Sequence, residues 1–337
     1  MIESESLNGR SQDEARSLYL KIIKDFPLEN IESEITINEM LSSKKRNLWW
    51  YLLISEKNIW IDKSIHRLFE IQRLINLNRE RKFDELLLLI DDKVLETIFI
   101  KFCKINKIKL SINKKRKLFV GTFSFFIKYY YQAFRSIMGI ILKKIILFLS
   151  EYPNDFVIKE NSIAFFSFFP FYWKKNDKNY KQDIFFNSLP NELKNNNPVL
   201  HLIWLMPVNS FFKSISELNI FIKKERTYVL ESGIRFKDAL SLLDYKLYLK
   251  FFKVFKSKNK IKIELSNGLN INELFFADII NSLLSPTLFQ TLLIDMAMTK
   301  VDLLNIEKLL FRLEFQPFER AILNNTKNKV QTIGFQH

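Results

Sequence analysis

Short runs of apolar residues, each ended by a proline or by polar residues, recur over most of the chain. Runs of this length without alternation are typical of strands that are buried on both faces of a parallel sheet. We place strands at 83–90, 107–112, 162–169, 199–206, 227–230, 308–314 and 330–336. Helical periodicity covers 65–83, 181–196, 209–225, 235–257 and 271–300. Strands that alternate with helices predict an α/β fold with a mainly parallel, Rossmann-like sheet and flanking helices.

The same pattern divides the chain into three predicted regions. Residues 1–82 form a mostly helical N-terminal region with a Trp-rich stretch at 48–60, and residues 83–306 form the Rossmann-like domain. Residues 307–337 contain two further predicted strands, and the second of them lacks a helix to cover it.

A long basic amphipathic helix is predicted at 115–151. Its longest uncharged stretch covers 118–127, which is too short for the roughly 20 apolar residues of a spanning helix. Helical geometry gathers Lys128, Arg135 and Lys143 on one face. Such a helix can lie in the headgroup layer of an anionic membrane, so we predict membrane contact for these three cations. The alternative is a core helix of a basic protein with one solvated edge.

Charge and cysteine content narrow the class of protein. The chain has 52 basic and 37 acidic residues, a net charge of +15, and its 47% of apolar residues suffice for a packed core. A single cysteine, Cys103, excludes an internal disulfide and fits a reducing compartment. The polar, acidic N-terminus lacks a secretory signal, so we predict a cytoplasmic protein, located at the inner face of the plasma membrane where the basic helix binds. Nucleic-acid binding would rest on charge alone, and no nucleic-acid partner is expected.

Several common catalytic and cofactor motifs are absent from the sequence. It contains no Gly-x-Gly pair, no Walker A loop, no Gly-x-Ser-x-Gly elbow and no Asp-x-Asp motif. The three histidines have no partner at metal-binding spacing, so we predict neither a metal nor a cofactor. His201 lies inside an apolar run and is predicted to be a core residue rather than a ligand. Asp91 and Asp92 follow a strand and favour a turn over a ligand contact.

The most informative residues lie near the C-terminus. Glu314 follows the apolar run 309–313, at the carboxyl end of a predicted strand, where open α/β sheets bind ligands. Pro317 suits the first turn of a helix, and Glu319 then lies at the positive end of that helix. Helix capping is the alternative role for Glu319.

A second strand at 332–337 is predicted to bring Gln336 and His337 to the same edge of the sheet. A carboxylate, two amides and an imidazole would then converge on one crevice. This convergence is the sequence feature that points to a ligand-binding or catalytic site.

Three segments, WWYLLISEKNIW (49–60), EFQPFE (314–319) and IGFQH (333–337), resemble a family of bacterial surface carbohydrate biosynthesis proteins. The family patterns read roughly Glu-Asn-Gln-Pro-Trp-Glu and Ile-Gly-x-x-His-Ser. The positions that match are Glu314, Gln316, Pro317, Glu319, Gly334 and His337. Two positions depart from the pattern: Phe315 replaces an asparagine and Phe318 replaces a tryptophan. The phenylalanines keep the apolar anchor, but the amide and the indole N–H of the pattern are lost.

The resemblance implies a glycosyltransferase of the GT-B type, with two Rossmann-like domains, that acts in surface polysaccharide or lipopolysaccharide biosynthesis. It also implies that residues 307–337 start the second of these domains. Because the family pattern continues beyond its histidine whereas this sequence ends on it, we expect the sequence to be a truncated or N-terminal piece of a longer protein. It implies a nucleotide-sugar donor and a lipid-linked or polysaccharide acceptor. The implied catalytic residues are Glu314, Glu319 and His337, and the implied substrate-binding residues are Gln316 and Gly334. Gln336 stands where the family varies, and we add it as a candidate substrate contact because its strand ends at the same place. A carboxylate would deprotonate the acceptor hydroxyl or stabilise positive charge on the sugar, and His337 would contact phosphate. A non-catalytic scaffold or acceptor-binding half that works with a partner chain is the second hypothesis, and a nucleic-acid-binding protein is the third.

Overall fold

The backbone of most of the chain is defined in a computed structural model. The described residues are 5–28, 30–32, 35–43, 46–55, 63–112, 121–153, 155–171, 173–175, 181–206, 211–257, 263–265, 267–314 and 316–336. They form two compact units, each made of two chain segments. The first unit comprises Met1–Tyr129 and Tyr245–Ser285, and the second comprises Tyr130–Asp244 and Pro286–His337.

Twelve α-helices are found in the described residues. They are α1 (Glu5–Asp25), α2 (Ile37–Leu41), α3 (Lys63–Arg81), α4 (Lys93–Asn106), α5 (Thr122–Leu149), α6 (Leu189–Leu193), α7 (Phe211–Lys224), α8 (Phe236–Leu240), α9 (Tyr245–Lys256), α10 (Asn272–Leu283), α11 (Pro286–Met298) and α12 (Pro317–Thr326). Within the described ranges, no single helix is both long enough and apolar enough to cross a bilayer. One pair of consecutive helices, α10 and α11, reaches that length and hydropathy when the two are counted together, and the pair is bent by 50°.

Thirteen short strands accompany the helices in the same ranges. They are β1 (Asn30–Glu32), β2 (Ile35–Thr36), β3 (Ser42–Ser43), β4 (Arg46–Asn47), β5 (Glu85–Leu88), β6 (Lys109–Ile112), β7 (Ser162–Phe169), β8 (Trp173–Lys175), β9 (Lys181–Asp183), β10 (Val199–Leu205), β11 (Thr227–Val229), β12 (Ile306–Arg312) and β13 (Gln331–Phe335). The pairs β1–β2, β3–β4 and β8–β9 are antiparallel, and β5–β6 is parallel.

The second unit is built on a five-stranded sheet whose strands are all parallel. Its strand order is β11-β10-β7-β12-β13, so the chain starts at the central strand, proceeds to one edge and then crosses to the other. This order is that of a Rossmann-like half. Every residue of β7 and β10 is buried, which explains why both strands are continuous apolar runs. The predicted α/β fold with a mainly parallel sheet is therefore confirmed.

The predicted domain boundaries differ from those of the structure. Residues 307–337 were expected to begin a second domain, but β12 and β13 complete the sheet that β7 begins. The reason is that β7 is buried on both faces and needs a hydrogen-bonded neighbour on each side, and β12 supplies one of them. In contrast, β5 and β6 form a separate two-stranded sheet in the first unit and do not join the Rossmann-like sheet.

In the first unit, a buried arginine joins three helices. The side chain of Arg67 on α3 binds Asp92 (Nε to Oδ2, 2.8 Å) and Asp278 on α10 (Nη1 to Oδ1, 3.0 Å). Asp92 also caps α4, where its carboxylate accepts the N–H groups of Val94 and Leu95. The aspartate pair after β5 thus has the turn role that the sequence favours.

His201 lies in the middle of β10 and belongs to the core, as predicted. Its imidazole is surrounded by the rings of Phe165, Trp173 and Phe221. Burial lowers the pKa of His201 to about 3, so the ring is neutral at physiological pH. Burial also raises the pKa of Glu225, whose Oε2 is 3.4 Å from His201 Nε2, to about 7.

One of the three cations predicted to contact a membrane is buried. The side chain of Lys143 on α5 forms an ion pair with Glu231 (Nζ to Oε1, 2.9 Å) and lies 3.9 Å from the centre of the Trp204 ring. Glu231 follows β11, and its carboxylate also accepts the N–H of Leu205 at the end of β10 (2.8 Å). Periodicity alone placed Lys143 with Lys128 and Arg135, which are exposed. Lys143 is inside because a buried acid on another element neutralises it.

We expect Lys143→Met to lower the free energy of unfolding by about 3–5 kcal/mol, since it leaves Glu231 buried and unpaired. The charge-neutral double variant Lys143→Met/Glu231→Gln should recover most of this loss. Urea titration followed by circular dichroism measures both. Lys128→Met, on the exposed face of the same helix, is the control, with an expected change of at most about 0.5 kcal/mol. Equal stability of the two lysine variants would contradict a structural role for the ion pair.

Candidate functional site

The strand order of the second unit identifies where a ligand would bind. The connections leave β7 towards β10 on one side, and β12 flanks β7 on the other side. In open parallel sheets, ligands bind outside the carboxyl ends of the strands at this change of direction. The residues that follow β7 and β12 therefore define the candidate site.

Arg312 and Glu314 lie at the carboxyl end of β12. Their side chains form an ion pair, and the Arg312 guanidinium lies 4.4 Å from the centre of the Phe185 ring. The Arg312 side chain is mostly buried, whereas that of Glu314 is 36% exposed. Glu314 is thus an acid that water and ligands can reach, next to a cation that is held by an aromatic ring.

Glu319 occupies a different environment although it is only five residues away. It is the third residue of α12 and is 2% exposed. Its Oε1 accepts the backbone N–H of Glu314 at 2.7 Å. The structure therefore brings the two predicted catalytic acids together, with Glu319 holding the loop between β12 and α12 in place. Pro317 begins α12, as its position in the sequence predicts.

The remaining predicted residues lie around the same loop and edge. Gln316 is half-buried and is the N-cap residue of α12. Gly334 pairs with Phe311 in the register of β12 and β13, and Gln336 is exposed just after β13. At Gly334 a Cβ would approach the Leu313 side chain to 3.0 Å, so a larger residue would push against the end of β12. The catalytic prediction for His337 lies outside the described residues.

The ends of β12 and β13 are hydrogen-bonded to each other. The N–H of Leu313 donates to the carbonyl oxygen of Phe335 at 2.7 Å. Glu314 and Gln336, the next residues in the two strands, therefore leave the sheet at the same edge. The structure thus brings Glu314 and Gln336 to the same end of the sheet, and the predicted approach of the His337 imidazole to this end stays a prediction.

A buried aspartate that the sequence analysis missed completes the site. Asp183, at the end of β9, accepts a hydrogen bond from the Ser167 hydroxyl in β7 and the N–H groups of Phe185 and Phe186. Burial raises its pKa, and the hydrogen bond from Ser167 and the charge of Arg312 work in the opposite direction. The sequence did contain one indication of this contact. Ser167 is a polar residue within an apolar strand, and such a residue needs a hydrogen-bond partner when it is buried.

The crevice between these residues is nearly filled. Its cavity measures about 10 Å³, close to the space of one water molecule. The lining residues are Phe166, Ser167, Phe168, Asp183, Phe185, Phe186, Arg312 and Phe318. The site thus combines one cation, Arg312, with two carboxylates, Asp183 and Glu314, next to several aromatic rings. Among the described side chains, no group of three or more His, Cys, Asp or Glu residues could hold a metal ion.

No protein-family model, curated protein or solved structure shows significant similarity to the chain. The functional residues are therefore identified from their geometry and their sequence motifs.

We expect Glu319→Ala to lower the free energy of unfolding by about 1–3 kcal/mol, because the N–H of Glu314 loses its hydrogen bond to the buried side chain of Glu319. Glu319→Gln keeps an acceptor oxygen and should cost less. Chemical denaturation measures both changes. Glu307→Ala, which removes an exposed acid from β12, is the control. If Glu319→Ala were as stable as this control, the loop would not depend on Glu319.

Proposed function

We propose that this protein is a glycosyltransferase-related protein of surface polysaccharide or lipopolysaccharide biosynthesis, which transfers a sugar from a nucleotide-sugar to a lipid-linked or polysaccharide acceptor. The observation that carries the proposal is the solvent-accessible Glu314 paired with Arg312 at the carboxyl end of β12, within the EFQPFE motif. The Rossmann-like strand order supports it, because nucleotides bind at this edge of such sheets.

The two charged residues have complementary roles in this reaction. Glu314 deprotonates the acceptor hydroxyl or stabilises positive charge that develops on the sugar. Arg312 offers planar N–H donors to the phosphates of the donor, which carry the negative charge of the leaving group. Glu319 positions Glu314 through the backbone hydrogen bond. Gln316, Gly334 and Gln336 surround the same edge and are the proposed substrate contacts, and His337 is the proposed phosphate contact.

A GT-B architecture, with a second Rossmann-like domain for the nucleotide-sugar, is part of this proposal. The five-stranded sheet corresponds to one such half. The rest of the donor site would then come from outside the described residues.

Helix α5 supports a location at a membrane. Within the second unit its exposed face is an apolar stripe at helical spacing, made of Tyr131, Phe134, Met138, Leu142, Ile145 and Phe148. Exposed large apolar residues that form one continuous face mark an interaction surface. Arg135 lies beside the stripe and Lys128 lies two turns before it on the same side of the helix; both are exposed.

We propose that the stripe enters the headgroup layer of an anionic membrane at the inner face of the plasma membrane, with these cations on the phosphates. This arrangement differs from the predicted basic face, because the apolar side of α5 is exposed and Lys143 is not. A membrane is favoured over a protein partner by the charge of the chain, which is +15.

A non-catalytic acceptor-binding half remains the second candidate function. The observation that favours it is the aromatic filling of the crevice, which leaves about 10 Å³ at the change of strand direction. A protein of this kind would bind the acceptor and work with a partner chain that carries the donor.

We expect Glu314→Gln to reduce sugar transfer by about 10²–10⁴-fold, the usual loss when a general base is removed. The assay follows transfer of labelled sugar from a panel of nucleotide-sugars to lipid-linked acceptors in membrane extracts. Glu307→Gln, an exposed acid on the same strand, is the control and should keep the wild-type rate. Transfer that is unaffected by Glu314→Gln would rule out its catalytic role. Acceptor binding without transfer would favour the non-catalytic alternative.

The double variant Phe134→Ser/Phe148→Ser should bind anionic vesicles at least about tenfold more weakly, because each phenylalanine loses burial in the lipid. The two side chains are 58% and 86% exposed, so folding should not suffer. Flotation with phosphatidylglycerol vesicles measures binding. Phe212→Ser, at an exposed phenylalanine of α7, is the matched control.

Reversing Lys128 and Arg135 to Glu should also weaken flotation, and the loss should shrink at high salt. Flotation that neither variant changes would contradict the membrane proposal.

A further inference from the structure

A second cleft opens at the carboxyl end of β10, two strands away from β12 in the sheet. Its volume is about 160 Å³, far above the 10–15 Å³ that one water molecule needs. The lining residues are Arg135, Ser136, Gly139, Ile140, Lys143, Trp204, Met206, Pro286, Gln290 and Leu293. Since β7 separates β10 from β12, this cleft is distinct from the Arg312–Glu314 site.

Basic side chains line the cleft. Two of its lining residues, Arg135 and Lys143, are cations and none is an acid, and the charge of Lys143 is neutralised by Glu231, which lies behind it. The ion pair with Glu231 uses one of the three donors of the Lys143 ammonium group. The cleft also touches the first residue of α11, Pro286, so the positive end of a thirteen-residue helix lies at its wall.

Two neutral hydrogen-bond donors also line the cleft. They are the hydroxyl of Ser136 and the side-chain amide of Gln290. Both can donate to the oxygen atoms of an acceptor-rich ligand.

We propose that this cleft binds a phosphoryl group. A phosphate has negative charge for Arg135 and several acceptor oxygens for the donors of Lys143, Ser136 and Gln290. These donors come from two elements of the second unit, α5 and α11. Lys143, held in place by Glu231 and by the Trp204 ring, provides the fixed cation, and Arg135 provides the accessible one.

The test is binding of inorganic phosphate to the full chain, without vesicles, by isothermal titration calorimetry. We expect saturable binding for the wild type, about tenfold weaker binding for Arg135→Gln, and a similar loss for the charge-neutral Lys143→Met/Glu231→Gln, which avoids a buried unpaired acid. Lys327→Gln, which removes an exposed cation at the end of α12 outside the cleft, is the control and should bind as the wild type does. Absence of saturable phosphate binding, or equal binding by all variants, would overturn the proposal.

Two further arms identify the source of the phosphoryl group. If the ligand is a soluble phosphate, pyrophosphate should compete with inorganic phosphate, and glycerophosphoglycerol, the soluble headgroup of phosphatidylglycerol without its acyl chains, should not. Competition by this free headgroup would identify a lipid headgroup as the ligand, and it does not depend on the contact of α5 with a membrane. Both results support the phosphoryl site, and both are independent of sugar transfer by Glu314, so either proposal can fail while the other stands.

Discussion

The buried ion pair between Lys143 and Glu231 determines how α5 is oriented on the sheet. Removing two charges from water is unfavourable unless they meet, so α5 must turn Lys143 towards the ends of β10 and β11. A helix rotates about its axis as a whole, so the direction of one side chain fixes the directions of all the others. Once Lys143 faces inward, the residues of the apolar stripe face solvent, and Arg135 lies between the two sides. The same pair therefore sets the surface that we assign to the membrane and the cation at the base of the second cleft.

Two charged clusters of the second unit lie at the carboxyl ends of the parallel strands. The strands β7 and β10 are buried throughout, so charged groups of this sheet meet solvent beyond the strand ends. Arg312 and Glu314 use the end of β12, and Lys143 with Glu231 uses the ends of β10 and β11. Because the strands are parallel, their carboxyl ends all lie at the same end of the sheet. The sheet thus places two charged clusters on one edge while its interior stays apolar.

Much of this fold could be predicted from the sequence, because local signals specify it. The run 162–169 coincides with β7, and Pro317 begins α12. The closeness of Glu314 and Glu319 followed from the strand-to-helix connection. Sheet membership could not be predicted, because it depends on pairings across long stretches of chain, which is why β5 and β12 were assigned to the wrong domains. Lys143 was misplaced for a similar reason, since its partner is 88 residues away.

The rings of Phe185 and Phe318 have a consequence for affinity. They fill the crevice at the change of strand direction, so under the proposed function a nucleotide would have to displace them before it could occupy that place. The observed dissociation constant would then equal the intrinsic one divided by the fraction of molecules whose rings have moved aside. With about one molecule in a hundred open, binding would be about a hundredfold weaker than the contacts alone provide. A partner or acceptor that keeps those rings displaced would act as an activator of donor binding without touching the donor.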